Sequence, residues 1–91
     1  MKGGPVKIIW TSHADDRGRE WHRRKSVSRE LVEEVLRKPE QVVPGDLNTL
    51  VAQRRWQGGL LRVPFVEVEE GRKVLTVYWT SRTARYWREP T

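Results

Sequence analysis

The feature that most constrains this chain is a change of hydrophobic period at Pro39. Before it, Leu31, Val32, Val35 and Leu36 recur at helical spacing, which is typical of an amphipathic helix with one buried face. Proline cannot continue a helix, and after Pro39 the apolar residues alternate with polar ones, as in strands with one buried face. Helices grouped early and strands grouped late predict an α+β fold.

Two helices are predicted in the first half of the chain. The first follows a short strand over residues 6–11 and runs from an N-cap at Ser12 to about residue 25. A second helix, capped by Ser28, spans about residues 29–38. Four residues of the first helix follow one another at spacings of four, three and four, which places them on one stripe that we expect to face the sheet: Ala14, Gly18, Trp21 and Lys25.

The second half predicts a short strand over 41–43 and longer strands over 48–56, 60–69 and 73–80. Pro64 lacks an N–H for the ladder and coincides with a change of phase, which predicts a bulge. The last strand is apolar on both sides, which favours a central position. We expect the side chains of this strand to alternate between its two faces, with Leu75, Val77 and Trp79 on one face and Val74, Thr76 and Tyr78 on the other.

The resulting expectation is one domain over residues 1–91, with a core of about 6–87. Two helices pack on one face of a mostly antiparallel sheet of four to five strands, in the order β-α-α-β-β-β-β. Antiparallel sheets of this kind leave the other face partly open.

The charge balance favours an anionic partner. Eighteen Lys and Arg against twelve Asp and Glu leave a net charge of +6, in a chain with five tryptophans. Such a domain suits nucleic acid or an acidic protein. The chain has no cysteine, no apolar run near the ~20 residues of a membrane span and no signal-peptide pattern. We therefore expect a cytoplasmic protein without membrane association.

The candidate chemistry is acid–base work on a phosphodiester. His13 and His22 are nine residues apart, on opposite sides of a helix, and no carboxylate stands at metal-ligand spacing, so neither metal nor cofactor is expected. Metal-free RNA cleavage needs a base, an acid and cations at the phosphate. His13, with Arg17 one turn later and Arg82 from the tail, is the predicted catalytic set. The remaining predicted nucleic-acid contacts are Arg23, Arg24, Lys25, Arg54, Arg62, Arg85 and Tyr86.

Several short patterns together resemble a known family. They are Thr-x-His-Ala-x-x-Arg at residues 11–17, a Lys-Ser-Val-Ser link at 25–28, a Glu-to-Leu helix at 30–36 before Pro39, Val-Leu-Thr-Val-Tyr-x-Thr-Ser-Arg at 74–82, and an Arg-Tyr pair at 85–86. This order is similar to that of small prokaryotic proteins of unknown function related to the RelE, ParE and BrnT toxins. The resemblance implies a RelE-like fold, an mRNA endoribonuclease of a toxin–antitoxin system acting on free or ribosome-bound RNA, and a cognate antitoxin.

Two other functions stay open on the residues alone. One is a non-catalytic module that binds nucleic acid or an acidic protein through the same arginines. The other is an interaction protein that forms a homodimer through a sheet edge or an apolar face.

Overall fold

The structure is a computed structural model that describes residues 6–89. Its elements follow in this order: β1 (Lys7–Trp10), α1 (Ser12–Lys25), α2 (Arg29–Arg37), β2 (Gln41–Pro44), β3 (Leu50–Trp56), β4 (Gly59–Val68), β5 (Gly71–Val74), β6 (Tyr78–Thr80) and α3 (Thr83–Tyr86). The α+β class is confirmed. The last predicted strand is split into β5 and β6, and a short helix that was not predicted follows it. In this part of the chain, no helix is long and apolar enough to cross a membrane.

The strands form one mixed sheet in the order β1-β5-β4-β3-β2, and β6 also pairs with β4. β1 runs parallel to β5, and the other pairs are antiparallel. The ten-residue β4 pairs with β3 along one side and with β5 and β6 along the other. The middle strand of the sheet is therefore β4. The prediction that residues 73–80 form a central strand holds for β5, which lies between β1 and β4, and fails for β6, which among the described residues pairs with β4 alone.

Both long helices cover one face of the sheet, which we call the helix face. Alternate residues of the central strands point into it and are fully buried: Ala52 on β3, and Leu61, Val63 and Phe65 on β4. They pack in one cluster with residues of both helices, namely Ala14, Val32, Val35 and Leu36. The opposite side of the sheet, which these helices do not cover, is called the open face.

The stripe predicted for α1 faces the sheet. Ala14 is fully buried, and the Trp21 ring lies 6.4 Å from the ring of Trp79 on β6. α1 is continuous through Gly18, although glycine is unfavourable inside a helix. A Cβ at this position would lie 3.3 Å from the Trp10 ring. The absent side chain therefore lets α1 approach β1 closely.

The N-caps of the two helices differ in how well they were predicted. The hydroxyl of Thr11, not that of Ser12, accepts a hydrogen bond from the N–H of Ala14 at 3.1 Å. The same hydroxyl donates to the carbonyl of Val74 at 2.9 Å, so this cap also ties α1 to β5. Ser28 caps α2 as predicted.

One extra residue interrupts the pairing along β4. Phe65 pairs with Val74, and Arg62 pairs with Tyr78. Two residues of β4 therefore lie opposite residues 75–77, and this is a β-bulge. The pairing of β4 with β3 continues without interruption, so the bulge lies in the partner strand and not in β4 itself.

Pro64 accounts for the position of this bulge. Its carbonyl accepts a hydrogen bond from the N–H of Leu75 at 2.9 Å, so its backbone faces this neighbour, and on that side it has no N–H to donate. The extra residue changes the alternation: Val74 and Val77 both join the core on the helix face. The predicted alternation, with Val77 opposite Val74, was wrong for this reason.

Candidate functional site

Three polar side chains stand side by side across the open face. Gln53 on β3 pairs in register with Arg62 on β4, and Arg62 pairs with Tyr78 on β6. Gln53 is fully buried and Arg62 is only 7% exposed. Buried polar groups at the centre of a sheet are costly unless they are hydrogen-bonded, so their contacts define the site.

Arg62 is held in a fixed orientation by these neighbours. Its Nε donates to Gln53 Oε1 at 2.9 Å, and its guanidinium also donates to the Tyr78 hydroxyl. Among residues 6–89, no carboxylate lies within ion-pair distance of Arg62. The site therefore contains an oriented, almost fully buried cation without a protein counter-ion in the described chain.

Residues 81–89, which we call the C-terminal strap, cross the open face above this cation. The Tyr86 ring stacks on Arg62, with 3.9 Å from the guanidinium carbon to the ring centre. The Tyr86 carbonyl accepts a hydrogen bond from Gln53 Nε2 at 3.1 Å. Gln53 therefore holds both the cation and the strap.

Gln41 on the neighbouring strand fixes the strap at a second point. Its Oε1 accepts from Gln53 Nε2 at 2.8 Å and from the N–H of Arg88 at 3.0 Å. Its Nε2 donates to the carbonyl of Arg88. A short segment with little apolar burial of its own is thus fastened to the sheet by side-chain amides.

The strap and its surroundings are rich in cations and aromatic rings. Arg55 lies 4.2 Å above the Trp87 ring, and Arg85 lies 5.5 Å from the ring of Tyr86. The arginines of the strap, at positions 82, 85 and 88, are exposed. Glu89 is the one acidic residue among residues 81–89. The open face can therefore attract anions and offer planar groups for stacking.

The predicted catalytic residues His13 and Arg17 lie one turn apart near the start of α1. His13 is exposed. Arg17 donates to Glu20 at 2.6 Å, and Glu20 also accepts from Arg24 at 3.1 Å. On this side of α1 the arginines are thus already paired with a carboxylate.

Arg82 lies near the other end of α1. The start of that helix is tied to Val74 through its N-cap, whereas the carbonyl of Lys25 at its end accepts from the indole of Trp56 at 2.9 Å. Arg82 follows β6, which pairs with β4 next to the β3–β4 turn that Trp56 precedes. From His13 to Lys25 the helix rises roughly 18 Å. The structure therefore groups Arg82 with the strap and not with His13.

The predicted nucleic-acid contacts lie in separate places. Arg54 is on the helix face, where it donates to the Lys38 carbonyl at 3.2 Å, and Arg62 is on the open face. Arg24 covers the Trp21 ring at 4.4 Å. Arg85 and Tyr86 belong to the strap, where Tyr86 stacks on Arg62 and Arg85 lies beside the Tyr86 ring. Of the rest, Lys25 covers the Trp79 ring at 3.8 Å, and Arg23 lines a cleft between α1 and α2.

Sequence reasoning missed Gln53, Arg55 and Tyr78 as site residues. A turn at Gln57 and Gly58 sets the register of the hairpin, so the pairing of Gln53 with Arg62 has a signal in the sequence. Tyr78 has no such signal, because the bulge determines which face it occupies.

Nothing matched this chain in comparisons with protein-family models, with curated proteins or with solved structures.

Proposed function

We propose that the protein is a toxin-like module that binds single-stranded RNA across its C-terminal strap. The observation that carries the proposal is the oriented guanidinium of Arg62, which lacks a carboxylate partner among residues 6–89. A buried cation is unfavourable without a compensating negative charge. An RNA phosphate bound at the strap would supply that charge.

The surroundings of Arg62 favour RNA over a generic anion. Single-stranded RNA is recognised by stacking of its bases on aromatic side chains or arginine planes, beside cations that hold the phosphates. Tyr86 and Trp87 already stack on arginines here, and the strap adds exposed arginines. Bases could replace these stacking partners without any change in the sheet.

The fold is compatible with a RelE-like assignment, which we include in the proposal. A strand, two helices and then antiparallel strands followed by a basic C-terminal segment is the order that the resemblance to RelE, ParE and BrnT toxins implies. A shared scaffold does not fix an activity, so the chemistry of the open face has to decide between binding and cleavage.

The binding proposal is tested by titrating a fluorescently labelled, unstructured RNA with the protein at several salt concentrations. We expect affinity to fall steeply with salt, because cations that neutralise phosphates release counter-ions. Each of Arg82→Gln, Arg85→Gln and Arg88→Gln should reduce the slope of log affinity against log salt by about 0.7.

The matched control is Arg19→Gln, which removes an exposed arginine paired with Asp16 on α1. It should leave the slope within error of the unmodified protein. An affinity that does not change with salt, or an equal effect of Arg19→Gln and Arg85→Gln, would contradict the assignment of the strap.

A second candidate function is metal-independent RNA cleavage, and the hydrogen bond between Arg62 and the Tyr78 hydroxyl favours it. A phenol held beside a cation places a proton donor next to the group that would stabilise a phosphate. Arg82 belongs to this open-face site as part of the strap. The roles proposed for His13 as base or acid and for Arg17 describe a separate site at the start of α1, since that helix covers the other face of the sheet.

Cleavage is tested by incubating RNA with the protein and a chelator, with and without ribosomes. Tyr78→Phe should lower the cleavage rate by about a hundredfold or more if the phenol transfers the proton. The same loss in His13→Ala, with Tyr78→Phe unaffected, would place the chemistry at the start of α1 instead. If RNA remains intact in every condition while it still binds, the protein is a binding module only.

The remaining partners belong to the same proposal. A cognate antitoxin would neutralise the protein by covering the strap. Substitutions of the strap arginines should therefore weaken binding of the antitoxin. A homodimer through a sheet edge would appear in sedimentation as a mass that increases with concentration. A toxin acting on mRNA would work in the cytoplasm.

A further inference from the structure

A cleft between α1 and α2, which we call the helix cleft, lies apart from the strap. Its volume is about 450 Å³, within the roughly 300–1,000 Å³ of sites that hold small molecules. Its apolar lining consists of Trp10, Gly18, Val27 and Val32. Trp10 is fixed there, because its indole N–H donates to Glu33 at 2.9 Å.

The α1 side of the helix cleft carries three basic side chains and one carboxylate, Asp15. Arg19, His22 and Arg23 lie within one turn of each other and all line it. Within residues 6–89, Arg23 has no ion-pair partner, and Arg19 pairs only with the largely exposed Asp16. Such surface pairs contribute little, so these cations can turn towards a ligand.

The α2 side is close to neutral. Arg29 covers the Trp10 ring at 4.2 Å and donates to Asp15 at 2.8 Å, which balances that pair of charges. Glu30 also lines the cleft, in the first turn of α2 where the positive helix end favours a carboxylate. Among the described residues, the lining thus contains three arginines and two carboxylates, and because Arg29 is paired with Asp15, the remaining positive charge comes from Arg19 and Arg23 on α1.

We propose that the helix cleft binds a small aromatic carboxylate, with its ring on the apolar lining and its carboxylate at His22 and Arg23. A guanidinium can hold both oxygens of a carboxylate. The apolar lining favours binding of an aromatic ring, because the ring buries its apolar surface there. This site is independent of the proposed RNA function, since it lies between the helices and shares no residue with the strap.

The test uses naphthoate as the probe, with naphthamide as its uncharged analogue. In NMR titrations of the intact protein with naphthoate, the backbone amide signals of helix-cleft residues should shift. Naphthoate should bind with a dissociation constant of about 1 mM or lower. Naphthamide should bind at least about fivefold more weakly, because it lacks the charge that the arginine recognises.

Substitutions locate the carboxylate contact. Arg23→Gln should weaken naphthoate about fivefold and leave naphthamide unchanged. The matched control is Arg24→Gln, since the neighbouring Arg24 contacts Glu20 and Trp21 instead of the helix cleft. It should bind naphthoate as the unmodified protein does.

Three results would overturn the inference: no shifts in the helix cleft, equal affinity for the two probes, or equal effects of the two substitutions. A capped peptide Asp-Trp-Glu serves as the competing occupant. Tighter binding of that peptide than of naphthoate would mean that the helix cleft accepts an acidic protein segment, contrary to the assignment of a small molecule.

Discussion

Gln53 fastens the C-terminal strap and orients Arg62 at the same time, so two substitutions can separate these roles. Its side-chain oxygen accepts from Arg62, and its side-chain nitrogen donates to Gln41 and to the Tyr86 carbonyl. Gln53→Leu removes the acceptor and the donor together. Gln53→Glu keeps an acceptor for Arg62 and removes only the donor.

The size of each effect follows from these contacts. In Gln53→Leu the buried guanidinium loses an acceptor, and the side-chain oxygen of Gln41 on β2 and the Tyr86 carbonyl of the strap both lose a donor. We expect a loss of about 2–4 kcal/mol in the free energy of unfolding, because an unmatched charged donor costs the most. In Gln53→Glu, Arg62 gains an ion pair and the strap loses its donor, so the net loss should be smaller, about 0–2 kcal/mol.

Urea denaturation measures stability, and trypsin measures release of the strap, since it cleaves after Arg85 and Arg88. Trypsin should cut both variants faster than the unmodified protein. If the strap opens and closes rapidly compared with cleavage, each 1.4 kcal/mol lost from the free energy that holds the strap on the sheet raises the cutting rate about tenfold. Gln57→Glu is the control for the charge that Gln53→Glu introduces, because Gln57 is exposed and its side chain donates to the Lys25 carbonyl at 3.0 Å. If Gln53→Leu is as stable as the unmodified protein and its strap is cut no faster, the coupling through Gln53 is refuted.

Three further predictions concern the backbone, each measured by urea denaturation. Thr11→Ala should lower the free energy of unfolding by about 1 kcal/mol or more through loss of the N-cap, while Ser12→Ala changes it little; equal effects would contradict the cap. Gly59→Ala should cost more than about 2 kcal/mol, because its Cβ would overlap the carbonyl of Thr80; an unchanged midpoint would contradict that contact. Leu47→Asn should stabilise the protein by about 0.5–1 kcal/mol, because Leu47 has φ of 53° and is 94% exposed; a loss of stability would indicate that Leu47 makes contacts elsewhere.

The helical half of the fold could be predicted because local patterns decide it. The α2 face, its Ser28 cap and its end near Pro39 follow from residues within a few positions of each other. The cap of α1 could not be decided locally. Thr11 and Ser12 are both suitable capping residues, but only the Thr11 hydroxyl also reaches the Val74 carbonyl across the sheet.

The candidate site depended on long-range pairing, which the sequence reveals only in part. Arg62 and Tyr86 were both predicted from the sequence as nucleic-acid contacts, and their contact is formed by a segment that crosses the sheet 24 positions later. Arg54 is also an arginine within a strand and has a polar residue on either side in the sequence. Its side chain nevertheless lies on the helix face. Chemistry alone therefore selected both arginines, and only strand register separates them.

The composition of the open face can be traced to the missing N–H of Pro64. Without a donor at that position, the strand opposite accommodates one extra residue between Val74 and Tyr78. Strand residues alternate between faces, so in an uninterrupted strand Tyr78 would share the helix face with Val74. The extra residue moves Tyr78 to the open face, where its hydroxyl accepts a hydrogen bond from Arg62. The same proline that ends regular pairing thus places a phenol beside the buried cation, and the proposed site depends on this irregularity more than on the regular part of the sheet.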